Sequence, residues 1–266
     1  MNDHHLDQVA RGFSHKALIY DEFGRDHVNL NRMRRRVYDH FTALVPPGSR
    51  VLEINAGTGY DAANLVQRGY RVHATDIAPG MLTQIKAKIA SQGLADRLTV
   101  QDCSFTELDQ VAGGPFDAVF SNMGGLNCID DLTQVTHHLP TLLRPGGVVT
   151  WVIMPPICPW ELIKFAKDFR VATRRLKRKN ILAHVEGAHF AVYYFTPREV
   201  LRAFGPQFTP LKLEGLSVLT PTADSKDFAV NHPRLYRLLA WLDDRLCEKR
   251  PFCNWGDFFI SSSRYR

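Results

Sequence analysis

A chain of 266 residues, with 45% hydrophobic and 23% charged residues and a net charge of +6, has the balance of one large α/β domain or one domain with a cap, which excludes a disordered or fibrous protein. Its five cysteines (Cys103, Cys128, Cys158, Cys247 and Cys253) include no Cys-x-x-Cys pair, so reduced thiols in a cytoplasmic protein are expected and zinc is not. No apolar run approaches a membrane span, and the polar stretch Met1 to His15 carries no signal core.

Residues 1–48 precede the first predicted strand. Tyr20-Asp21 is expected in a loop, followed by a helix over Asn29–Phe41 capped by Asn29 or Asn31. Met33, Val37, Phe41 and Leu44 recur at helical spacing and form its packing face, which leaves Arg32, Arg34, Arg35 and Arg36 as a solvated face. Pro46-Pro47-Gly48 ends the helix.

The next stretch organises the chain. Arg50 to Ile54 reads as a buried strand, Asn55 to Gly59 as a tight turn, and Tyr60 to Gln67 as a helix. That order brings backbone N–H groups and a positive helix end to one point, and Gly57 and Gly59 let a ligand approach. This is a nucleotide-type cradle. Gly57-Thr58-Gly59-Tyr60-Asp61-Ala62 fits the dinucleotide fingerprint G-x-G-x-x-G/A, with Asp76 ending the following strand.

The strand Tyr70–Thr75 ends at Asp76, where a carboxylate suits ribose hydroxyls. A helix from Pro79 to about Gln92 turns Met81, Leu82, Ile85 and Ile89 inward. A third strand, Leu98–Gln101, ends at Asp102-Cys103, and a fourth, Phe116–Phe120, ends at Ser121-Asn122 before Met123 and Gly124-Gly125. Asp131 to Gln134 is a capping box for a helix to Leu143, and Leu142 to Gly147 is a stop leading into a fifth strand, Val148–Met154.

Pro155, Pro156 and Pro159 then interrupt the pattern. Trp160–Lys179 reads as an amphipathic helix with Leu162, Phe165, Ala166, Phe169, Ala172 and Leu176 on one face. Eight basic residues lie between positions 161 and 180 against Glu161 and Asp168, so this element carries the chain's charge excess. It is either a solvated lid face or a surface for anionic lipid or an acidic substrate; with no RNA-binding module beside it, nucleic acid is disfavoured. A strand over Ala188–Phe195, a helix from Thr196-Pro197 to Phe204, a strand over Phe208–Leu219, a helix over His232–Glu248 and a last strand over Trp255–Arg264 complete the chain.

Glu53-x-Asn55-x-Gly57-x-Gly59, acidic residue included, resembles motif I of the class I S-adenosylmethionine-dependent methyltransferases, with Asn55 at the usual first glycine. The ordered strand-end set Glu53, Gly57/Gly59, Asp76, Asp102 and Asn122 extends the resemblance over residues 48–154. It implies a doubly wound, Rossmann-like α/β fold: a mainly parallel seven-stranded sheet with an antiparallel last strand and a cap inserted after the fifth strand. It divides the chain into an N-terminal segment closing over the cofactor (1–48), a cofactor-binding core (49–154), a cap carrying most substrate contacts (155–196) and the rest of the core (197–266).

The implied cofactor is S-adenosylmethionine, leaving as S-adenosylhomocysteine, with no metal. The implied contacts are Tyr20, Glu53, Asn55, Ala56, Gly57, Gly59, Asp76, Ile77, Met81, Asp102, Cys103, Asn122 and Met123. Glu53 would help hold the amino acid end, Asp76 the ribose, and Asp102 with Cys103 the adenine. The acceptor is expected to be a small organic molecule, with O-, N- and C-methylation open. His189 and Tyr193, four apart in a strand and so on one face, are the candidate catalytic residues; His15 and Tyr20 are further candidates. Asp130-Asp131 could hold Mg²⁺, but a helix cap explains the pair. The competing readings are an NAD(P)-dependent oxidoreductase and a non-catalytic S-adenosylmethionine-binding module.

Overall fold

The computed structural model describes residues 3–163, 168–179 and 181–266. Two helices, α1 (Asp3–Arg25) and α2 (Val28–Thr42), lead into alternating strands and helices: β1 (Arg50–Glu53), α3 (Tyr60–Gln67), β2 (Arg71–Asp76), α4 (Pro79–Ser91), β3 (Leu98–Asp102) and β4 (Phe116–Ser121). Two one-turn helices, α5 (Thr133–Thr136) and α6 (Leu139–Leu142), precede β5 (Leu143–Ile153). The remainder is α7 (Pro159–Leu162), α8 (Phe169–Thr173), β6 (Ile181–Val185), β7 (Ala188–Val192), α9 (Pro197–Phe204), β8 (Phe208–Leu216), α10 (Phe228–Asn231), α11 (Pro233–Leu246) and β9 (Phe258–Tyr265).

Seven strands form one sheet in the order β3-β2-β1-β4-β5-β9-β8, parallel from β3 to β5, with β9 antiparallel between β5 and β8. The reversal of strand order beside β1 is the switch point at which open α/β sheets take ligands. Alternation along each strand feeds two apolar layers. Val51, Val148 and Val152 join Met33, Val37 and Phe41 of α2 on one side, while Leu52, Val149 and Trp151 join Leu139, Val200 and Phe204 on the other.

Several expectations are corrected. Tyr20-Asp21 lies in α1, not in a loop. Val9, Phe13, Ala17 and Tyr20 recur three or four residues apart and cover the strand ends, and a Cβ on Gly80 would meet the Ser14 carbonyl at 2.5 Å, so α1 crosses directly over the start of α4. The α2 cap is His27, whose Nδ1 accepts from Leu30 N–H; Asn29 is buried and donates to the Pro221 carbonyl. The arginine run is not one solvated face. Arg32 pairs with Asp244, Arg36 with Glu214 and Asp244, Arg34 is buried, and Arg35 alone of the four is exposed. The helix expected before Leu143 is two short turns; Asp131 still accepts from Thr133 N–H.

The single helix over Trp160–Lys179 is replaced by α7, α8 and a 3-10 turn over Arg174–Lys177. Phe165 and Ala166 lie outside the described residues. Among those described, Ala172 is buried while Phe169 and Leu176 face outward, so the expected apolar stripe is not one covered face. The charge excess is partly internal: Arg174 and Arg175 both reach Glu161, Arg175 also bonds Asp257 at the start of β9, and Arg178 pairs with Glu199. The strand at Ala188 is half of an antiparallel hairpin with β6, a strand not expected from the sequence. The helix start at Thr196 is as expected, a capping box with Glu199.

Candidate functional site

The loop after β1 is shaped by three residues with positive φ: Asn55 (50°), Gly57 (58°) and Gly59 (72°). Asn55 tolerates it because its side chain is fixed, with Oδ1 accepting from Ser121 Oγ at 2.9 Å. Any side chain at Gly125 would collide with that amide, its Cβ lying 2.2 Å from Asn55 Nδ2. Asp76 holds the turn from the next strand, accepting from Gly57 N–H at 2.8 Å and Ala78 N–H at 2.9 Å. Burial pushes the Asp76 carboxyl up to about 6 despite these bonds.

A cavity of about 430 Å³ opens above this turn. Asn55, Gly57, Asp76, Asn122 and Met123 line its floor, and Ile77, Met81, Cys103 and Phe105 form an apolar slot at one end. Tyr20 lines it from α1; burial pushes its hydroxyl above the usual phenol range. Glu53, Ala56 and Gly59 shape the turn without lining the cavity, and Asp102 is exposed outside it. Of the pair expected at the slot, Cys103 lines it and Asp102 does not.

Two charged groups at this turn are incompletely bonded. Glu53 is 1% exposed, and its Oε2 has no hydrogen-bond partner among the described residues. Burial, then Asp61 and Asp76, pushes its carboxyl well above the ordinary carboxylate range. Arg34 is 4% exposed, lines the cavity, and leaves Nε and Nη1 without hydrogen-bond partners among the described residues. Its guanidinium lies over the Tyr60 ring, beside Asp61, which is itself bonded by Tyr38 Oη and by Asn122 Nδ2 at 3.0 Å. A buried carboxyl and a buried guanidinium at one glycine turn, each with unbonded polar atoms, leave capacity for a ligand that carries an ammonium and a carboxylate. Helical phase was the signal for Arg34: it falls one residue after Met33 and three before Val37, on the buried side of α2.

The opposite wall comes from α1 and the β6–β7 hairpin. Phe13 packs on Phe190 with ring centres 5.9 Å apart, and Val9, Val185, Val192 and Tyr194 complete the surface. This reverses the expected face of β7. His189 is exposed, with its ring 4.6 Å from His184 on the outer side, and Tyr193 lies in a separate small cleft with Asp130 and Asp131. The alternation was right, but the inward set is Ala188, Phe190, Val192 and Tyr194. His15 sits outside the cavity, near the Glu186 carbonyl. Asn127 fixes the hairpin exit by donating to the Tyr193 carbonyl at 2.6 Å and accepting from Met154 N–H at 2.9 Å. At the cavity edge Cys158, Glu161 and Asp257 cluster, and Arg175 Nη2 lies between the two carboxylates at 2.8 and 2.7 Å, which makes the cluster an ion-pair site.

The site thus joins a Rossmann-like cradle, an apolar slot, a carboxylate at the end of β2, and a buried carboxyl and guanidinium at the turn. Residues 51–147 match the methyltransferase domain family. The chain is 29% identical over 216 residues to the malonyl-[acyl-carrier protein] O-methyltransferase of Halorhodospira halophila, covering 73% of this chain and 68% of that one. It spans under half the length of other relatives that it matches. The CcbJ methyltransferase of Streptomyces caelestis shares the fold at TM-score 0.63 and 16% identity, over 94% of this chain and 96% of that one. So does the Burkholderia thailandensis 1,6-didemethyltoxoflavin-N1-methyltransferase with bound S-adenosylhomocysteine, at TM-score 0.59 and 17% identity, over 100% and 90%. The matched domain, the relatives and the shared fold together support a class I S-adenosylmethionine-dependent methyltransferase, with S-adenosylmethionine as the cofactor.

Proposed function

We propose that this enzyme methylates a small, largely apolar organic acceptor. The observation carrying this reading is the continuity of the cavity, which runs from the glycine turn to the inner face of the hairpin beneath α1. Residues 1–48 then act as a cover and 155–196 as the acceptor wall. Bound S-adenosylmethionine supplies a methyl carbon already activated by its positive sulfur. Arg34 holds the cofactor carboxylate, Glu53 balances the ammonium, Asp76 accepts from the ribose hydroxyls, and Ile77, Met81, Cys103 and Phe105 enclose the adenine.

Alignment and exclusion of water are the remaining tasks, and the apolar wall performs both. No imidazole is among the described lining residues; Tyr194, whose hydroxyl burial holds in the neutral form, and Asp224 are two of the lining groups able to handle a proton. An acceptor that arrives already nucleophilic suits this wall. An oxidoreductase fits less well, because a dinucleotide offers no ammonium to Glu53. No helix among the described residues is long and apolar enough to cross a membrane. The test is incubation with methyl-labelled cofactor and fractionated cell extract. The label is expected in the small-molecule fraction, and label confined to macromolecules would overturn the reading.

A further inference from the structure

The outer side of α11, remote from the cavity, carries an apolar stripe. Its inner side holds Tyr236, which donates to Asn29, and Asp243, which accepts from the Leu219 and Thr220 N–H groups. On the opposite side Arg234, Leu238, Trp241 and Arg245 follow at i, i+4, i+7 and i+11, one continuous helix face. Leu238 is 53% exposed, Trp241 49% and neighbouring Leu235 47%.

The charge around the stripe is mainly positive. Arg234, Arg237, Arg245, Lys249 and Arg250 are exposed. The two exposed acids of this region are ion-paired, Asp244 with Arg32 and Arg36, and Glu248 with Lys212. Arg245 lies 4.2 Å from the Trp241 ring centre, so a cation and an indole share one spot on the stripe.

We propose that this face of α11 seats the protein on an anionic lipid bilayer. Leucine and tryptophan ringed by arginines form an interfacial face whose apolar side chains enter the headgroup boundary while the cations meet lipid phosphates. A second copy is a poorer occupant. A two-fold contact centred on Leu238 and Trp241 would bring the arginines at the two ends of the stripe, Arg234 and Arg245, against those of the other copy. Three apolar side chains would also bury on the order of several hundred Å², against roughly 1,200–2,000 Å² for a stable interface. The basic segment 161–180 is a weaker seat, because Arg174, Arg175 and Arg178 are committed to Glu161, Asp257 and Glu199.

The test is flotation of the full chain with vesicles of phosphatidylglycerol and phosphatidylcholine, against phosphatidylcholine alone. The protein is expected to float with the anionic vesicles only, and less as salt rises. Arg234→Ser/Arg237→Ser should lower the partition about 30-fold. Leu238→Ser/Trp241→Ser should lower it as well, and both variants should keep the wild-type affinity for S-adenosylhomocysteine. Failure of the wild type to float, or flotation of both variants like the wild type, would overturn the proposal. So would a dimer in light scattering that Trp241→Ser dissolves, which assigns the face to a second copy, or capture of an acidic protein without vesicle binding.

Discussion

The guanidinium of Arg34 lies 3.9 Å from the centre of the Tyr60 ring, where Tyr60 is the first residue of the helix that follows the glycine turn. Ring and helix end together fix a buried cation at the place where a ligand carboxylate would meet the helix N-terminus. Arg34→Ala is predicted to weaken S-adenosylhomocysteine binding by about 1.5–3 kcal/mol, the range for a hydrogen bond to a charged group. Arg34→Lys should recover part of that loss. Isothermal titration measures both, and an unchanged dissociation constant in folded Arg34→Ala would remove this residue from the site.

Asp76→Ala is predicted to cost about 1–3 kcal/mol of cofactor affinity. It should also lower the stability of the free protein, because the carboxylate holds the Gly57 and Ala78 N–H groups. Equal affinity in the folded variant would show that the ribose lies elsewhere.

The affinity should depend on pH. In the free protein Asp76 has its pKa raised to about 6 by burial, and Glu53 is raised well above its ordinary value. A raised carboxyl favours folding most when protonated, so the contribution of Asp76 to stability is full below its unfolded value and is lost as pH rises through about 6. Ribose hydroxyls and an ammonium favour the ionised carboxylates, so binding releases protons and weakens as pH falls below about 6. Titrations in buffers of different ionisation enthalpy measure that release, and a pH-independent affinity would contradict it.

Removing the Arg175 cation should leave Asp257 buried with no cation beside it and Glu161 with Arg174 alone. Arg175→Met is predicted to lower stability by about 3–5 kcal/mol, read by denaturant unfolding. A change under 1 kcal/mol would mean that water reaches these carboxylates freely.

His189→Ala is predicted to change stability by no more than about 0.5 kcal/mol, as for an exposed residue, and to leave turnover unaltered. Loss of turnover in the folded variant would put β7 the other way round.

The β1 turn and the acids at the strand ends were legible because they follow local rules: a glycine where φ is positive, a carboxylate where a parallel strand stops. What was misread turned on which side of an element meets the core. Period two in β7 groups His189 with Tyr193 and Phe190 with Val192, yet only the packing of Phe190 on Phe13 decides that the second set faces the cavity. The run Arg32 to Arg36 reads as uniform charge until Met33 and Val37 set the phase that carries Arg34 inward. In the segment from Trp160 to Lys179, ion pairs from Arg174 and Arg175 to Glu161 accompany a fold into short turns, which a periodicity count does not see.

The most direct test of the account is calorimetric titration of the purified chain with S-adenosylhomocysteine and, separately, with NAD. One-site binding of S-adenosylhomocysteine, weakened in Arg34→Ala and Asp76→Ala, with no heat from NAD, is the predicted result. Saturable NAD binding with no response to S-adenosylhomocysteine would contradict it.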